Sequence, residues 1–364
     1  MIQYLSGQDK PICRKLWEEA FPEDSKTFCD YYFQEKLTDN RILALVEDNG
    51  ENGPKQVHAM VHRNPYLLSV KGCRWKVDYL VGVATQKEMR HQGFMRRLLL
   101  QVMADMRREQ MPFCFLMPAK EAIYRPFGFT YIFRQPQLSL EGEGVQKGEN
   151  INGDTPDGMA AEQAAVWMNR WLARHYQVYA LRDEAYVRRL AKEIASENGS
   201  LALLYGGQDV VGVLGEWGYG RKVQRLLYGD LPYVQEKGDP KPAIMARVIS
   251  LEAFVPVIRV RNPTQGEMVV RLHLSDPLIP QNDGHWIWHL NGESSWIERA
   301  ARRQGPEVMA QAIEDGGRDM QEKPLELSIS QLTAWLFGYE VPEPALPYAA
   351  LVEPLQGVFL DEVV

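Results

Sequence analysis

The sequence predicts an α/β (α+β) fold. Apolar runs with the two-residue period of strands alternate along the chain with stretches whose apolar residues recur at helical spacing. The 364 residues allow two to three domains at about 150 residues each. A composition that is 45% hydrophobic and 24% charged is typical of a globular protein and excludes wholesale disorder.

The first 140 residues have the clearest order of elements. The predicted elements are strands over Arg41–Glu47, two runs of Gln56–Val70 divided at Asn64-Pro65, and Trp75–Thr85, then a helix over His91–Gln110, a strand over Pro112–Met117, a helical turn over Glu121–Phe127 and a strand over Thr130–Leu140. The long helix is predicted because Phe94, Leu98 and Val102 share one helical face. Strands and helices in this order predict a layered domain.

The rest of the chain alternates in the same way. The predicted elements are helices over Ala160–Arg174 and Asp183–Glu197, strands over Leu201–Tyr205, Val210–Leu214, Met268–Leu274 and His285–Leu290, a helix over Ser330–Phe337 and an extended tail over Gly357–Val364. Residues 141–158 contain five glycines and few aliphatic side chains, which predicts a linker or a long surface loop.

Charge is unevenly distributed along the chain. Residues 1–140 contain 20 Lys and Arg against 16 Asp and Glu, whereas residues 141–364 contain 21 against 32. The net charge of −7 argues against a nucleic-acid-binding protein, because such proteins present basic surfaces to phosphates. The positive first region favours a small anionic ligand.

The cysteines and the apolar pattern indicate a cellular location. Cys13, Cys29, Cys73 and Cys114 form no Cys-x-x-Cys pair, so neither a zinc site nor a disulfide framework is predicted. No basic region followed by an apolar run opens the sequence, and no run of about 18 apolar residues occurs. These features predict a reduced, cytoplasmic protein without a membrane segment.

Residues 90–96 predict an anion site. They lie where a strand ends and a helix begins, and the free N–H groups in the first turn of a helix bind anions with the help of the helix dipole. Gly93 lets a phosphate approach the backbone, and Arg90 and Arg96 supply charged donors. A glycine among basic residues at a helix start is also compatible with plain surface.

This segment resembles the acyl-coenzyme A loop of the GCN5-related N-acetyltransferases (GNAT). The motif Arg/Gln-x-x-Gly-x-Gly/Ala is matched at Arg90 and Gly93, with Met95 in place of the second small residue. Residues 122–129 resemble the tyrosine-bearing turn of that superfamily, and residues 245–249, 327–339 and 359–364 are similar to its enhanced-intracellular-survival-like branch. The resemblance implies that acetyl-CoA binds to Val81, Gly82, Val83, Arg90, His91, Gln92, Gly93, Phe94, Met95 and Arg96.

The resemblance also implies two GNAT-like mixed-sheet domains followed by a sterol-carrier-protein-2-like α+β domain. Residues 1–140 are then the acetyl-CoA-binding domain, 141–158 a linker, 159–245 a degenerate second acetyltransferase-like domain, and 246–364 a sterol-carrier-like domain whose tail reaches the active site. The second domain has no Arg-x-x-Gly loop, so we expect it not to bind coenzyme A. The branch includes homo-oligomers, so self-association is a further expectation.

Acetyl transfer from a thioester to an amine needs a proton for the departing thiolate. A phenol with a pKa of about 10 suits a thiolate of pKa about 8.5. Tyr124 is therefore the candidate general acid, although a tyrosine beside Phe127 and Phe129 is also typical of a core. The backbone N–H groups of Val81 to Val83 are candidates for an oxyanion hole.

The general base and the acceptor site are less determined. The resemblance assigns the base to the main-chain carboxylate that Val364 carries, and Glu362 is the alternative. A main-chain carboxyl has an ordinary pKa of about 3.5, so it accepts an ammonium proton well only through a water or after burial raises that pKa. The resemblance also implies an acidic pocket for a cationic amine, with Glu23, Asp24 and Glu362 as the candidate acceptor-binding residues, but each is also compatible with surface charge.

Histidine and tryptophan patterns indicate structural roles. His58 and His62, and likewise His285 and His289, are four residues apart in strand runs, where this spacing does not form a helical zinc site, so no metal is expected. The segment 286–288 contains two tryptophans and predicts core packing, with the wall of an apolar ligand pocket as the alternative.

Two functions follow from the sequence. The first is an N-acetyltransferase that transfers the acetyl group of acetyl-CoA to a small cationic acceptor (aminoglycoside-, polyamine- or lysine-like) by direct attack in a ternary complex. The alternative is a non-catalytic acyl-CoA or lipid-binding protein that uses the sterol-carrier-like domain. The first is favoured because the loop at 90–95 and Tyr124 are both present.

Overall fold

The computed structural model describes residues 1–47, 55–141, 144–154, 159–300, 318–319 and 323–362 and confirms the mixed α/β class. The helices are α1 (Arg14–Ala20), α2 (Lys26–Glu35), α3 (Phe94–Arg108), α4 (Glu121–Tyr124), α5 (Met159–His175), α6 (Glu184–Ser196), α7 (Leu251–Phe254) and α8 (Ile329–Leu336). None of the helices in this part of the chain has the length and apolar character that crossing a bilayer requires.

The strands form five sheets within the described residues. In chain order they are β1 (Ile2–Tyr4), β2 (Arg41–Glu47), β3 (Gln56–Val70), β4 (Cys73–Thr85), β5 (Phe113–Leu116), β6 (Thr130–Gln135), β7 (Leu138–Leu140), β8 (Val145–Asn150), β9 (Val178–Ala180), β10 (Ser200–Gly206), β11 (Asp209–Trp217), β12 (Val223–Gly229), β13 (Val234–Glu236), β14 (Lys241–Val248), β15 (Arg259–Val260), β16 (Met268–Ser275), β17 (Gly284–Leu290), β18 (Ser295–Arg299), β19 (Arg318–Asp319), β20 (Leu325–Ser328), β21 (Val352–Glu353) and β22 (Val358–Phe359).

A nine-stranded mixed sheet holds distant parts of the chain together. Its order is β1-β2-β3-β4-β5-β14-β6, with β9 paired to β3 and β22 paired to β9. Side chains alternate across it, so Leu43 faces the core beneath α3 whereas Ile42 and Ala44 face the core beneath α1 and α2. Strand β14 pairs antiparallel with both β5 and β6 and crosses the boundary predicted at 245/246.

The predicted break at Asn64-Pro65 is wrong, because β3 is one continuous strand of 15 residues. One edge of β3 pairs with β2 as far as Arg63 and with β9 from Leu68 onward. Pro65 lies in the gap between these two partners, where its missing N–H costs no ladder hydrogen bond. The dipeptide therefore marks a change of partner strand rather than a turn.

Part of the predicted linker is also a strand. Residues 145–150 form β8, which pairs antiparallel with β10 in a four-stranded sheet of order β12-β11-β10-β8. This edge strand is mostly polar and exposed, and Lys147 forms an ion pair with Glu216 of β11 at 3.0 Å. Because one face needs no apolar residues, hydrophobic periodicity does not reveal such a strand.

The last sheet covers the C-terminal helix. Strands β18, β17 and β16 are antiparallel, and β19 and β20 run parallel to β16. Trp288 and Trp335 of α8 are fully buried and pack edge to face at 6.1 Å. The predicted strands at 268–274 and 285–290 and the helix at 330–337 agree with β16, β17 and α8 to within one residue.

The tail residues 358–362 are anchored to the main sheet. Strand β22 runs parallel to β9, with Val358 opposite Val178 and Phe359 opposite Tyr179. Phe359 packs against Phe133 with ring centroids 5.6 Å apart, and Leu360 is fully buried. The tail therefore continues into the interior rather than into solvent.

Replacing Leu360 with Ala tests this docking. We expect Leu360→Ala to lower the free energy of unfolding by roughly 2–5 kcal/mol, because it leaves a cavity where a fully buried side chain stood. The control is Leu346→Ala, since Leu346 is 57% exposed and its truncation should cost no more than about 0.5 kcal/mol. Denaturant unfolding measures both, and equal losses would contradict a docked tail.

Candidate active site

Strands β4 and β5 separate and open the sheet. They pair in parallel only at Asp78 opposite Cys114 and Tyr79 opposite Phe115. Beyond Tyr79, β4 continues to Thr85, and in the described part of the chain no strand pairs with its β5-facing edge there. Main-chain groups along this edge therefore have no strand partner and can meet a ligand.

A β-bulge at Gly82 changes the direction of the main chain next to this opening. The register between β3 and β4 shifts between Met60 and His62, and Gly82 has a φ of +58°. A Cβ on Gly82 would lie 2.5 Å from the Trp17 ring, so only glycine fits. Bulges turn backbone groups out of the ladder, which supports the candidate role of the Val81–Val83 amides.

The start of α3 has features that an anion cradle requires. Gly93 is the N-cap with a φ of +78°, and nothing lies within 4 Å of the position that its Cβ would occupy. The first N–H groups of a helix have no partner within it. Arg90 donates to Thr85 O at 3.2 Å and Gln92 to Glu88 O at 3.2 Å, which stiffens the loop.

The loop residues divide into an exposed and an inward-facing group. The exposed residues are Arg90, His91, Gln92, Gly93 and Arg96. Phe94 and Met95 are half-buried and pack against the main core. Met95 therefore contributes to core packing at the position where the motif has a small residue.

Tyr124 lies at the end of α4 close to this cradle. It is 7% exposed, and its ring packs edge to face on Phe129 at 6.0 Å. Burial raises the pKa of Tyr124 to about 12, so the phenol is protonated at neutral pH. Among the described residues its hydroxyl has no hydrogen-bond partner, which leaves it available to a ligand.

Arg247 fixes the turn that carries Tyr124. This side chain is fully buried on β14 and donates to the carbonyl of Phe127 and, at 2.5 Å, to Asp276. The Arg96 guanidinium lies 5.9 Å from the Phe127 ring and joins the turn to α3. No sequence pattern assigns a role to Arg247, although this residue lies in the stretch 245–249 that resembles the enhanced-intracellular-survival-like branch.

The tail places two carboxylates against a buried arginine. The Arg182 side chain is fully buried and donates to Asp361 at 3.1 Å, with Glu362 at 3.8 Å. Tyr228 also donates to Asp361, and Tyr186 donates to the two oxygens of Glu362 at 3.0 and 2.9 Å. Burial raises the pKa of Glu362, although the Arg182 charge opposes this rise.

A cavity of about 850 Å³ lies between β3, β4, α6 and the tail. Glu362, Tyr66 and Tyr186 are among its lining residues. The ring of Tyr66 packs on Tyr79 at 6.0 Å, and Tyr79 stacks on Phe115 at 5.1 Å. This aromatic row leads from the cavity to the point where β4 and β5 separate.

Tyr79 interacts electrostatically with both candidate catalytic groups. Burial raises the pKa of Tyr79, and the charges of Glu362 and Tyr124 both contribute to this rise. These two groups therefore lie within electrostatic range of the same phenol, although they belong to segments more than 230 residues apart. The structure thus brings the candidate acid and the alternative base to one region.

The other predicted acidic residues lie elsewhere. Glu23 is exposed, and Asp24 accepts a hydrogen bond from Trp17 Nε1 at 2.8 Å while burial raises the pKa of Asp24. The neighbouring Ser25 donates to Glu197 just after α6, about 16 Å along that helix from Tyr186. Glu23, Asp24 and Glu362 therefore form no single acidic cluster. Val364 lies outside the described residues.

The histidines and cysteines have structural surroundings. His62 is fully buried beside the Tyr32 hydroxyl at 3.0 Å, and burial lowers the pKa of His62 to about 3. His289 stacks on Trp296 at 4.7 Å, and all four cysteines are free. Within the described ranges, no three His, Cys, Asp or Glu side chains are placed to hold a metal ion.

Two domain families match the chain. The acetyltransferase (GNAT) domain matches residues 1–132, and the sterol carrier protein domain matches residues 251–351. The chain thus has a GNAT acetyltransferase domain followed by a sterol-carrier-like domain, as the sequence analysis predicted. No curated protein matches the sequence.

Solved structures share the whole fold at low sequence identity. A probable N-acyltransferase from Enterococcus faecalis has a TM-score of 0.68 at 16% identity over 98% of this chain and 93% of that chain. A GCN5-related N-acetyltransferase from Kribbella flavida gives 0.65 at 16% over 97% and 92%. Eis1 from Mycobacterium abscessus gives 0.62 at 13% over 98% and 94%. These similarities extend the likeness to the complete arrangement of domains.

Gly128→Ala tests the anchoring of the tyrosine turn. Gly128 has a φ of +78°, and a Cβ there would collide with the Arg247 guanidinium and lie 2.8 Å from Ile329. Because Arg247 is held by two partners and cannot move aside, we expect a loss of unfolding free energy well above the ~1–2 kcal/mol of a left-handed alanine alone. Denaturant unfolding measures this loss.

The matched control is Gly207→Ala in the β10–β11 hairpin. Gly207 has a φ of +68° but nothing within 4 Å of its Cβ position, so only the backbone term of ~1–2 kcal/mol applies. If both alanines cost the same, Arg247 does not fix the turn.

Proposed function

We propose that this chain, with its GNAT domain in residues 1–132, is an acetyl-CoA-dependent N-acetyltransferase that acetylates an amine of a small cationic acceptor by direct attack in a ternary complex. The acceptor class is aminoglycoside-, polyamine- or lysine-like. The observation that carries the proposal is the opening between β4 and β5 in the matched acetyltransferase domain, with Tyr79 at the last strand pair packed on Tyr66 of the cavity that Glu362 also lines. An unpaired strand edge, a buried phenol at Tyr124 and a buried carboxylate at Glu362 suit acyl transfer to an amine.

The first N–H groups of α3, with Arg90 and Arg96, would hold the pyrophosphate of the coenzyme. The unpaired edge of β4 would then receive the acyl arm. In the proposal, amides among Val81 to Val83 donate to the thioester oxygen as negative charge develops there. One such donor typically contributes roughly 10²–10³-fold in rate.

The chemistry balances with one base and one acid. Glu362 takes a proton from the acceptor ammonium, and the neutral amine attacks the thioester carbonyl to form the C–N bond. As the C–S bond breaks, Tyr124 gives its proton to the leaving sulfur, and the attached nitrogen gives its surplus proton back to the Tyr124 phenolate directly or through water. The products are the amide and free coenzyme A, and Glu362 releases the ammonium proton to solvent. The high pKa of Tyr124 keeps this proton in place at neutral pH.

The remaining expectations belong to the same proposal. The four-stranded sheet unit would bind no second coenzyme, because its sequence has no Arg-x-x-Gly loop. Four free cysteines support a reducing, cytoplasmic location, and the resemblance supports self-association. Lipid carriage is less favoured, because Trp288 and Trp335 fill the interior between the last sheet and α8.

Tyr124→Phe removes the proposed acid. We expect kcat for release of free thiol from acetyl-CoA to fall roughly 10²–10⁴-fold while the coenzyme Kd stays the same, since the ring still packs on Phe129. Tyr219→Phe, at a 59% exposed tyrosine, is the control and should keep full activity. An unchanged kcat in Tyr124→Phe would remove this residue from the mechanism.

Glu362→Gln tests the proposed base through its pH profile. Because Glu362 acts when ionised and its pKa is raised, kcat/KM should fall as the pH is lowered through that pKa. Glu362→Gln should lower kcat/KM at pH 8 by roughly 10²–10⁴-fold and remove this acid limb. Glu340→Gln, at an exposed position, is the control.

The carboxylate of Val364 is the competing base and gives the opposite pattern. If it were the base, Glu362→Gln would retain activity and its acid limb, whereas residues added after Val364 would abolish transfer.

A further inference from the structure

Two buried cations in the cavity share one carboxylate. The Lys36 ammonium lies 3.9 Å from Glu193 Oε2, and the Arg225 guanidinium lies 3.5 Å from Glu193 Oε1. Their side chains are 9% and 6% exposed, and that of Glu193 is 5% exposed. Counted without Glu362, these three side chains carry one excess positive charge in a place with little water.

The hydrogen bonds of this cation group are also incomplete. Arg225 Nε and Glu193 Oε1 have no hydrogen-bond partner among the described residues, and the Lys36 ammonium forms no hydrogen bond there. Burial lowers the pKa of Lys36, which the charges of Glu193 and Glu362 counter only in part. Unpaired buried donors cost free energy, so this group favours an additional anion.

Neighbouring aromatic rings hold the two cations in place. Lys36 lies 5.8 Å from the centre of the Tyr66 ring, and Arg225 lies 5.3 Å from that of Trp217. Both cations line the same cavity as Glu362, and each interacts electrostatically with the Glu362 carboxylate. A ligand can therefore reach the cation group and Glu362 together.

Three of the four other carboxylates that line the cavity are already paired. Asp78 accepts from Arg63 at 2.6 Å, Asp39 pairs with Arg189 at 3.1 Å, and Glu109 pairs with Arg41 at 2.7 Å. The fourth, Asp183, is exposed and caps α6, so a polycation would meet buried positive charge with little buried negative charge to receive it. The cavity therefore suits a molecule that carries both signs.

We infer that the acceptor carries a carboxylate as well as its amine, and that Lys36 and Arg225 bind this carboxylate while Glu362 faces the amine. The inference rests on the proposed acetyl transfer and selects the lysine-like class over polyamines and aminoglycosides. A guanidinium can bind a carboxylate through two parallel hydrogen bonds, which fixes the orientation of the acceptor.

Matched acceptors with and without a carboxylate test the inference. The pairs are lysine with 1,5-diaminopentane, and the dipeptide Gly-Lys with its C-terminal amide. Calorimetry on the full chain with coenzyme A present should give a Kd at least about tenfold lower for the acid of each pair. Equal affinities for acid and amide, or no binding of either acid, would overturn the inference.

Two variants separate binding from folding. Lys36→Met should raise the Kd of Gly-Lys about tenfold and leave that of the amide unchanged. Glu193→Gln removes the carboxylate charge that competes with the ligand for Lys36 and Arg225, so it should lower the Kd of Gly-Lys. A variant that had lost its structure could not bind more tightly. An unchanged acid-to-amide ratio in both variants would contradict the assigned roles of these residues.

Thiol release distinguishes this inference from the proposed function. Tight binding of the acids without thiol release would contradict the transferase and uphold the carboxylate subsite. Thiol release with equal kcat/KM for acid and amide would uphold the transferase and overturn the subsite.

Discussion

The pairing of Arg182 with the tail is the interaction on which the site depends. A fully buried guanidinium is costly unless charged and polar partners surround it, and here Asp361, Glu362 and the carbonyl of Ala180 do so. The same pairing draws residues 358–362 into the interior along β9. Glu362 reaches Tyr186 and the cavity because Arg182 must be neutralised.

The site is consequently a product of the whole chain. Strand β14 lies between β5 and β6, β9 pairs with β3, and β22 pairs with β9. The sheet of the GNAT domain is therefore completed by segments far outside residues 1–132. Arg247 on β14 connects the Tyr124 turn to Asp276 near the last sheet. The sterol-carrier-like domain thereby supports the acid, and the tail supplies the proposed base.

Local features of the fold and site could be predicted from the sequence. The helix at α3, the cradle at Gly93 and the turn at Tyr124 depend on periodicity, glycine and short motifs, all of which lie within a few residues. Hydrophobic periodicity and apolar runs do not show which strands pair at long range. They therefore do not predict that β14 inserts between β5 and β6, or that the polar residues of β8 form an edge strand. Pro65 was interpreted as a turn because the change of partner strand depends on β9, over 100 residues later.

The cation group could not be predicted from the sequence either, because it too depends on long-range packing. Lys36, Glu193 and Arg225 come from α2, α6 and β12, and each alone is an ordinary charged residue of an ordinary element. Only packing brings them together and removes their water. Met95, which departs from the small-residue motif, packs against the core, and this contact too depends on the fold rather than on the local sequence.

A crystal structure with coenzyme A and a carboxylate-bearing acceptor tests the central claim most directly. We expect the coenzyme sulfur to lie between β4 and β5, within hydrogen-bond distance of the Tyr124 hydroxyl. We expect the acceptor nitrogen to contact Glu362 directly or through one water. A sulfur remote from Tyr124, or an acceptor bound outside the cavity that Glu362 lines, would contradict it.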